Sequence, residues 1–245
     1  MTTIDQKSAT LQKIAFVTGA SSGIGRAITK RLAADGHHVI AAARRTDLLD
    51  ELAETDGVEA CALDVTDLEA VRDAVTATVA RHGRLDVFVA NAGVMPLSRL
   101  DAGLVDQWNH MIDVNVRGLL HGIAAVSGPF AGQGSGHFVT IASIGAHGVT
   151  PTAAVYCGTK YAAWAITEGL RLESPPGIRV TTVSPGVVES ELAGTITDPT
   201  AQQAMSEYRR HAIPASAIAD AVAFAVSQPS EVDVNEIVVR PASQR

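Results

Sequence analysis

Short apolar runs alternate along the chain with stretches in which apolar residues recur every three or four positions. The runs predict strands and the stretches predict helices, because side chains repeat with periods of about 2 and 3.6 residues in these elements. We predict seven strands, at residues 13–17, 38–43, 58–63, 85–90, 136–142, 178–183 and 236–239. We predict helices at residues 24–34, 68–81, 102–125, 153–172 and 216–226.

This alternation, with strands that are almost continuously apolar, indicates an α/β fold with a seven-stranded, mostly parallel sheet and helices on both faces. Right-handed crossovers make such a sheet doubly wound, of the Rossmann type. No Gly-, Ser- or Pro-rich linker divides the chain, so we expect a single domain over residues 1–245, with its first ten residues frayed. Residues 187–215 interrupt the alternation, and an insert of that length predicts a substrate-binding loop or lid.

Composition narrows the class of protein. Hydrophobic residues make up 47% of the chain and charged residues 18%, which favours a buried core over disorder. The net charge of −7 argues against nucleic acid or an anionic membrane as partner. No signal peptide or membrane-spanning run is recognisable, so we expect a cytoplasmic protein. Cys61 and Cys157 are isolated, without CxxC spacing, and we expect neither a disulfide framework nor a metal site.

A glycine-rich turn, TGASSGIG at residues 18–25, follows the first strand and opens a helix. Glycines allow a tight turn and close backbone approach, and the helix N-terminus offers N–H groups to a phosphate. An ordinary strand–helix loop is the alternative, but the position after the first strand favours a dinucleotide pyrophosphate. The expected cofactor contacts in this turn are Gly19, Ser21, Ser22, Gly23, Ile24 and Gly25.

The end of the second strand indicates which dinucleotide is bound. An NAD-selective site usually carries an acid there for the ribose 2′-hydroxyl, whereas this chain has Ala43 followed by Arg44 and Arg45. Two guanidinium groups favour a 2′-phosphate. The alternative, a solvated basic pair at a helix start, is unattractive because cations are disfavoured at that end of a helix. The sequence therefore predicts NADP(H).

Four polar residues form a candidate catalytic set. Tyr156 and Lys160 are four residues apart in a predicted helix and share one face. A phenol with a pKa near 10 is a poor acid or base at neutral pH, and a nearby ammonium lowers that pKa. Ser143 follows the fifth strand, where its hydroxyl either holds a substrate oxygen or caps the next turn. Asn115 lies within a predicted helix and by itself favours a structural role.

Together these residues resemble the short-chain dehydrogenase/reductase family, in its compact single-domain branch, over about residues 12–240. The matching motifs are TGASSGIG at 18–25, Asp64-Val65, Asn91-Ala92-Gly93, Asn115, Ser143, YCGTK at 156–160, and Pro185-Gly186 with Ser190 beyond. Ala90 and Ala142 replace commoner Asn and Ser, and Ser190 replaces Thr; no catalytic group is lost. The tail at 235–241 is similar to NADP-linked reductases that include clavulanate-aldehyde reductases and dehydrogenases of serine and other 3-hydroxy acids.

The resemblance implies NAD(P)-dependent oxidation of an alcohol or reduction of a carbonyl. It implies that Tyr156 is the general acid/base and that Ser143 steadies the reacting oxygen. Lys160 would lower the pKa of Tyr156 and bind the nicotinamide ribose, and Asn115 would hold a water that joins Lys160 to a proton relay. Further implied cofactor contacts are Asp64 and Val65 at the adenine, Asn91, Ala92 and Gly93 at its ribose, Pro185 and Gly186, and Val188 and Ser190 at the carboxamide. Members of the family are commonly tetramers, so we expect a homotetramer or a homodimer.

Three functions fit the sequence. The first is an NADPH-dependent carbonyl reductase or alcohol dehydrogenase. The second is an NADP-dependent 3-hydroxy acid dehydrogenase, in which Arg209, Arg210 or His147 binds a substrate carboxylate. The third is a non-catalytic NADP-binding regulator, against which the intact catalytic set argues. We expect a mostly apolar pocket for a moderately hydrophobic ketone or alcohol, formed by Met95, Val187, Leu192, Ile196 and Met205.

Overall fold

The computed structural model describes residues 12–244, so the first ten residues, for which we expect fraying, lie outside the described part. One sheet contains the strands β1 (Ile14–Thr18), β2 (His38–Ala43), β3 (Val58–Ala62), β4 (Val87–Ala90), β5 (Gly136–Ile141), β6 (Ile178–Pro185) and β7 (Glu236–Val239). Their order across the sheet is β3-β2-β1-β4-β5-β6-β7, and every neighbouring pair is parallel. The predicted seven-stranded, doubly wound α/β fold is confirmed.

Helices cover both faces of the sheet. They are α1 (Gly23–Ala34), α2 (Thr46–Ala53), α3 (Leu68–His82), α4 (Val105–Ile112), α5 (Gly118–Gln133), α6 (Ala154–Glu173), α7 (Pro199–Tyr208) and α8 (Ala215–Ser227). On one face, α1 packs against α8 over an aliphatic core. On the other, α3 packs against α5 over a core crossed by a row of phenylalanines.

The phenylalanine row follows from strand register. Phe16, Phe88 and Phe138 occupy facing positions on β1, β4 and β5. Because neighbouring parallel strands point facing residues to the same side, the rings stack with centroids 5.4 Å apart in each pair. All three side chains are fully buried. The row fixes β1 beside β4, the two strands from which the chain winds in opposite directions.

Three parts of the secondary-structure prediction are wrong. The single helix predicted at 102–125 is divided into α4 and α5 by a π-helical turn at Asp113–Arg117, and α5 continues to Gln133. In that turn the N–H of Gly118 bonds to the carbonyl of Asp113, five residues earlier. The short helix α2 was not predicted, and the insert at 187–215 contains a helix, α7. Within residues 12–244, no helix is both long enough and apolar enough to cross a membrane.

Candidate active site

A cleft of about 1110 Å³ runs along the carboxyl ends of the strands. Its centre is the point where β1 and β4 lead the chain in opposite directions, which is where ligands bind in open α/β sheets. All the cofactor contacts expected from the sequence line this cleft: Gly19, Ser21, Ser22, Gly23, Ile24, Gly25, Arg44, Arg45, Asp64, Val65, Asn91, Ala92, Gly93, Tyr156, Lys160, Pro185, Gly186, Val188 and Ser190. Ser143 lines it too, whereas Asn115 lies behind Lys160.

The glycine turn packs so closely against neighbouring backbone that two of its glycines have no room for a side chain. Gly19 has a φ of +66°, and a side chain there would place its Cβ 2.8 Å from the Cα of Ala92. A Cβ at Gly25 would lie 2.3 Å from the carbonyl oxygen of Gly19. Asn91 fastens the turn to β4, because its amide donates to the carbonyl of Thr18 at 2.8 Å. Asn91 therefore shapes the floor of the cleft through the backbone it holds.

The N-terminus of α1 opens onto the cleft at Ser22 and Gly23. Ser22 makes no capping hydrogen bond to the helix. Its hydroxyl instead accepts a 2.7 Å hydrogen bond from Arg45, whose guanidinium also donates to Ser21 at 3.1 Å. The first-turn N–H groups, together with the positive end of the helix dipole, suit a phosphate.

Two arginines flank the rim where β2 ends. Arg45 donates a 2.8 Å hydrogen bond to Glu191, an acidic residue of the insert that the sequence analysis missed. Arg44 lies near Asp64. Burial favours the neutral form of Asp64, but hydrogen bonds from Thr66 and the charge of Arg44 outweigh it and lower the Asp64 pKa. The rim thus combines two cations with two carboxylates: Glu191 is hydrogen-bonded to Arg45, and Asp64 lies near Arg44.

Ser143 and Tyr156 bring two hydroxyl groups together. Ser143 follows β5 in extended conformation, and its oxygen accepts a 3.0 Å hydrogen bond from the N–H of Gly145. The capping role considered for Ser143 is therefore present. The same hydroxyl lies close enough to the phenol of Tyr156, in the first turn of α6, to lower its pKa. One serine hydroxyl thus holds a turn and also faces the tyrosine.

Burial sets the pKa values of the Tyr156–Lys160 pair. It raises the pKa of Tyr156 to about 12, against the smaller opposing effect of Ser143. It also lowers the pKa of Lys160 to about 8. The Lys160 nitrogen lies 5.9 Å from the Tyr156 ring centroid and donates to the carbonyl of Ile141 at 2.9 Å. Burial therefore sets the net direction of the Tyr156 pKa, and the lowering effect of Lys160 expected from the sequence stays a prediction.

Asn115 lies in the π-helical turn and is buried. Its oxygen accepts from the N–H of Val94 at 2.9 Å, and its amide donates to the carbonyl of Val94 at 3.0 Å and to the hydroxyl of Thr159 at 3.1 Å. The structural role that the sequence favours for Asn115 alone is therefore present. A cavity of about 20 Å³ lies between Asn115 and Lys160, large enough for one water molecule.

The insert forms one wall of the cleft. At its base Val188 pairs with Ile213, and the N–H of Glu189 donates to the carbonyl of Ile213 at 2.9 Å. Most of the apolar residues expected at the pocket do line it: Met95, Val187, Leu192 and Met205. Ile196 instead packs inside a small core with Leu97 and Cys157. A largely apolar wall thus faces Tyr156.

Two of the residues considered for binding a substrate carboxylate also line the cleft. Arg209 and His147 line the cleft, and Arg209 donates a 2.6 Å hydrogen bond to the carbonyl of Ser190. Arg210 does not line the cleft and pairs with Glu207 at 2.8 Å. The sequence analysis missed Arg240, which lines the cleft just beyond β7. Arg240 could have been found from the sequence. If β7 is parallel to β6, both strands end at the same edge of the sheet, so Arg240 after β7 must lie near Gly186 after β6.

Comparisons with known proteins agree with this geometry. A family model described as short chain dehydrogenase matches residues 13–201. An uncharacterized oxidoreductase of Staphylococcus saprophyticus is 42% identical over 238 residues, which cover 95% of this chain and 97% of that protein. An alcohol dehydrogenase of the archaeon Thermococcus sibiricus, complexed with 5-hydroxy-NADP, superposes with a TM-score of 0.84 at 30% identity, covering 96% and 98% of the two chains. The closed form of a serine dehydrogenase complexed with NADP+ superposes with a TM-score of 0.87 at 27% identity, covering 95% and 96%.

Proposed function

The chain belongs to the short chain dehydrogenase family of oxidoreductases, and on that premise we propose that it interconverts a carbonyl group and an alcohol with NADP(H) as its cofactor. The observation that carries this proposal is the meeting of the Ser143 and Tyr156 hydroxyls beside Lys160, in a cleft continuous with the glycine turn. A proton donor, an oxygen-binding hydroxyl and a dinucleotide cradle are the parts that the reaction requires.

The residues present fit a dinucleotide. An added Cβ at Gly19 or Gly25 would clash with neighbouring backbone, so the glycines keep the turn tight where it lines the cleft. The amides at the start of α1 would receive the pyrophosphate, and Arg44 and Arg45 would bind a ribose 2′-phosphate. Asp64 and Val65 would flank the adenine, and Val188 and Ser190 would hold the carboxamide. A bound NADPH would supply the hydride.

The chain's own residues would handle the proton. Ser143 would donate a hydrogen bond to the substrate oxygen and hold it beside the phenol of Tyr156. With a pKa of about 12, Tyr156 is protonated at neutral pH and ready to donate to that oxygen during reduction. Lys160 in its charged form would stabilise the phenolate that remains. A water between Asn115 and Lys160 would return a proton to the site.

Substitution of Tyr156 by Phe tests this mechanism. It also distinguishes an enzyme from a non-catalytic NADP-binding regulator. We expect Tyr156→Phe to abolish NADPH-dependent reduction across a panel of ketones and aldehydes, read by NADPH absorbance, while NADPH binding is retained. Tyr161→Phe is the matched control, because Tyr161 lies on the same helix with an exposed side chain. A wild-type protein that binds NADPH but turns over no carbonyl or alcohol would favour the regulator.

A second candidate substrate class is a 3-hydroxy acid. Arg209 and Arg240 place two guanidinium groups on the substrate side of the cleft, and either suits a carboxylate. If a 3-hydroxy acid is the substrate, we expect kcat/KM for the acid to exceed kcat/KM for its methyl ester. We expect Arg240→Gln to remove this preference for the acid over the ester. Arg210→Gln is the control, because Arg210 lies outside the cleft. Equal kcat/KM values for acid and ester favour a neutral ketone or alcohol.

We further propose that residues 187–215 act as the substrate-binding insert of one domain, and that the protein assembles as a homotetramer or homodimer. Leu120 on α5, Phe224 on α8 and Val238 on β7 are exposed apolar side chains, which support contacts between subunits. Light scattering after size-exclusion chromatography measures the assembly. Cys61 and Cys157 are both free thiols, in line with a cytoplasmic location.

A further inference from the structure

Three side chains of metal-ligating type meet at the edge of the sheet that lies away from the cleft. His38 opens β2, Glu59 is the second residue of β3, and His82 closes α3. The ligand atoms of these residues all lie within 4.8 Å of one another. The topology explains the meeting, because β2 and β3 are parallel neighbours and α3 runs back to the edge where both strands begin.

The two histidines point unpartnered nitrogens at this cluster. The Nε2 atoms of His38 and His82 are shielded from solvent and have no hydrogen-bond partner in the part of the chain that the structure describes. They lie 3.5 Å and 3.4 Å from the same carboxylate oxygen of Glu59, Oε2. Buried polar atoms left without a partner cost free energy. A bound cation would give both nitrogens and the oxygen a partner at once.

The spacing suits a tetrahedral ion. A zinc ion bound at about 2.0–2.1 Å to nitrogen and oxygen ligands holds those ligands about 3.3–3.4 Å apart. The two measured distances of 3.4 Å and 3.5 Å match this value. The imidazole rings of His38 and His82 have centroids 4.5 Å apart and are tilted by 43°, so they do not stack face to face, and both Nε2 atoms lie near the same Glu59 oxygen. We propose that His38, Glu59 and His82 bind Zn²⁺ or a similar borderline divalent cation, with the fourth position open to water.

Glu59 is held for this role by a neighbour. Arg81 donates a hydrogen bond to Oε1 of Glu59, which leaves Oε2 for the cation. Partners of this kind orient metal-binding carboxylates. Nitrogen ligands also favour zinc, nickel or cobalt over magnesium and calcium, which prefer oxygen.

The position of the cluster separates this site from the proposed reaction. It lies at the amino ends of β2 and β3, whereas the cleft lies at the carboxyl ends; β2 alone is about 16–20 Å long. A cation here would tie β2, β3 and α3 together without reaching Tyr156. No metal site was expected from the sequence because the two cysteines lack CxxC spacing, and the three ligands here come from separate elements without a motif spacing.

Zinc titration of the full chain tests the proposal. The protein is prepared without a histidine tag, stripped with chelator and titrated with ZnCl₂ in a calorimeter. We expect one Zn²⁺ per chain, and a loss of affinity of about 100-fold or more in His38→Gln and in His82→Gln, since even outer-shell changes cost about 10–100-fold. His110→Gln is the control, because His110 on α4 lies outside the cluster. Zinc at about 100 times its Kd should raise the Tm of the wild type by roughly 5–10 °C and leave that of His82→Gln unchanged.

Two outcomes would overturn the proposal. One is a wild-type protein with no zinc binding below about 100 µM, far weaker than the affinities of structural zinc sites. The other is equal zinc affinity in the wild type and His82→Gln, which would place the bound ion elsewhere. Circular dichroism and NADPH binding establish that each variant is folded. Titration with Co²⁺ adds a spectroscopic readout, since visible bands of a four-coordinate ion should appear in the wild type and be absent in His38→Gln.

Discussion

The guanidinium of Arg45 donates a 2.8 Å hydrogen bond to the carboxylate of Glu191 and so joins the rim of the proposed adenosine site to the insert. The same guanidinium donates to Ser22 at the start of α1. Glu191 accepts a hydrogen bond from an Arg45 N–H group that a 2′-phosphate would need. Its negative charge would also repel that phosphate. The insert and the cofactor would therefore compete for one cation.

Removing the charge of Glu191 should strengthen NADPH binding. We expect Glu191→Gln to lower the Kd of NADPH by up to about fivefold, because exposed ion pairs are worth about 0.2–1 kcal/mol, and to leave the Kd of NADH nearly unchanged. Fluorescence titration measures both constants. Glu207→Gln removes the same charge from α7, where its partner Arg210 lies outside the cleft. Weaker NADPH binding in Glu191→Gln would instead make Glu191 a positive contributor to the site.

Removing both rim arginines should reverse the cofactor preference. We expect Arg44→Ala combined with Arg45→Ala to weaken NADPH binding about 10- to 100-fold more than NADH binding, because hydrogen bonds to charged groups are worth about 1.5–3 kcal/mol. The ratio of kcat/KM for the two cofactors provides a second measure. Arg72→Ala, which removes one charge outside the cleft, is the control on α3, where Arg72 pairs with Glu69. An unchanged NADPH/NADH ratio in the double variant would contradict NADP selectivity.

The strand–helix order of the sheet, and the cleft position of the residues that belong to a recognisable motif, could be predicted from the sequence. Strand–helix alternation fixes the order of elements, and parallel strands bring the residues at their carboxyl ends to one edge. The position of a motif after its strand therefore placed residues such as Gly19, Ser143 and Arg44 correctly at the cleft. The interruption of the helix at Asp113–Arg117 was not predictable in this way. A single π-helical turn has no sequence signal of its own, and the contacts of Asn115 with Val94 and Thr159 are tertiary.

Helix α7 and the pairing of Arg45 with Glu191 were also not predicted from the sequence, for different reasons. Asp198 and Pro199 are a helix-start signal, and Asp198 does accept a 2.8 Å hydrogen bond from the N–H of Ala201, so α7 was readable from the sequence. The pairing of Arg45 with Glu191 was not, because the two residues are distant in sequence and no local pattern links them. The pKa of Tyr156 likewise depends on burial by residues from several elements. Both features depend on tertiary contacts, which no local sequence pattern encodes.

Two glycine-to-alanine variants should change stability in opposite directions. A Cβ at Gly25 would lie 2.3 Å from the Gly19 carbonyl oxygen and 2.5 Å from the Asn91 amide nitrogen, so Gly25→Ala should lower the free energy of unfolding by about 1–3 kcal/mol and weaken NADPH binding. Gly169 lies inside α6, and apart from the nearby backbone of that helix no described atom lies within 4 Å of an added Cβ. Gly169→Ala should therefore raise stability by about 0.5–1 kcal/mol. Urea denaturation measures both changes, and equal effects would contradict the close packing at Gly25.

Reduction and oxidation should depend on pH in opposite senses. The Lys160 pKa of about 8 means that the ammonium is lost as the pH rises past 8, and with it the stabilisation of the Tyr156 phenolate formed during reduction. We expect kcat/KM for carbonyl reduction to fall above about pH 8, approaching tenfold per pH unit. Alcohol oxidation should rise with pH, because the phenol, with a pKa of about 12, must first lose its proton.

Initial rates from pH 6 to 10 at saturating NADPH, and separately at saturating NADP+, measure both profiles. The Tm at each pH distinguishes titration from unfolding. Lys160→Met supplies the control for the assignment: its lower reductive rate should no longer decline near pH 8, because the group that titrates there is gone. A decline that persists in Lys160→Met would assign the titration to another group. A wild-type reductive rate that stays constant to pH 10 would show that the Lys160 charge does not drive proton transfer from Tyr156.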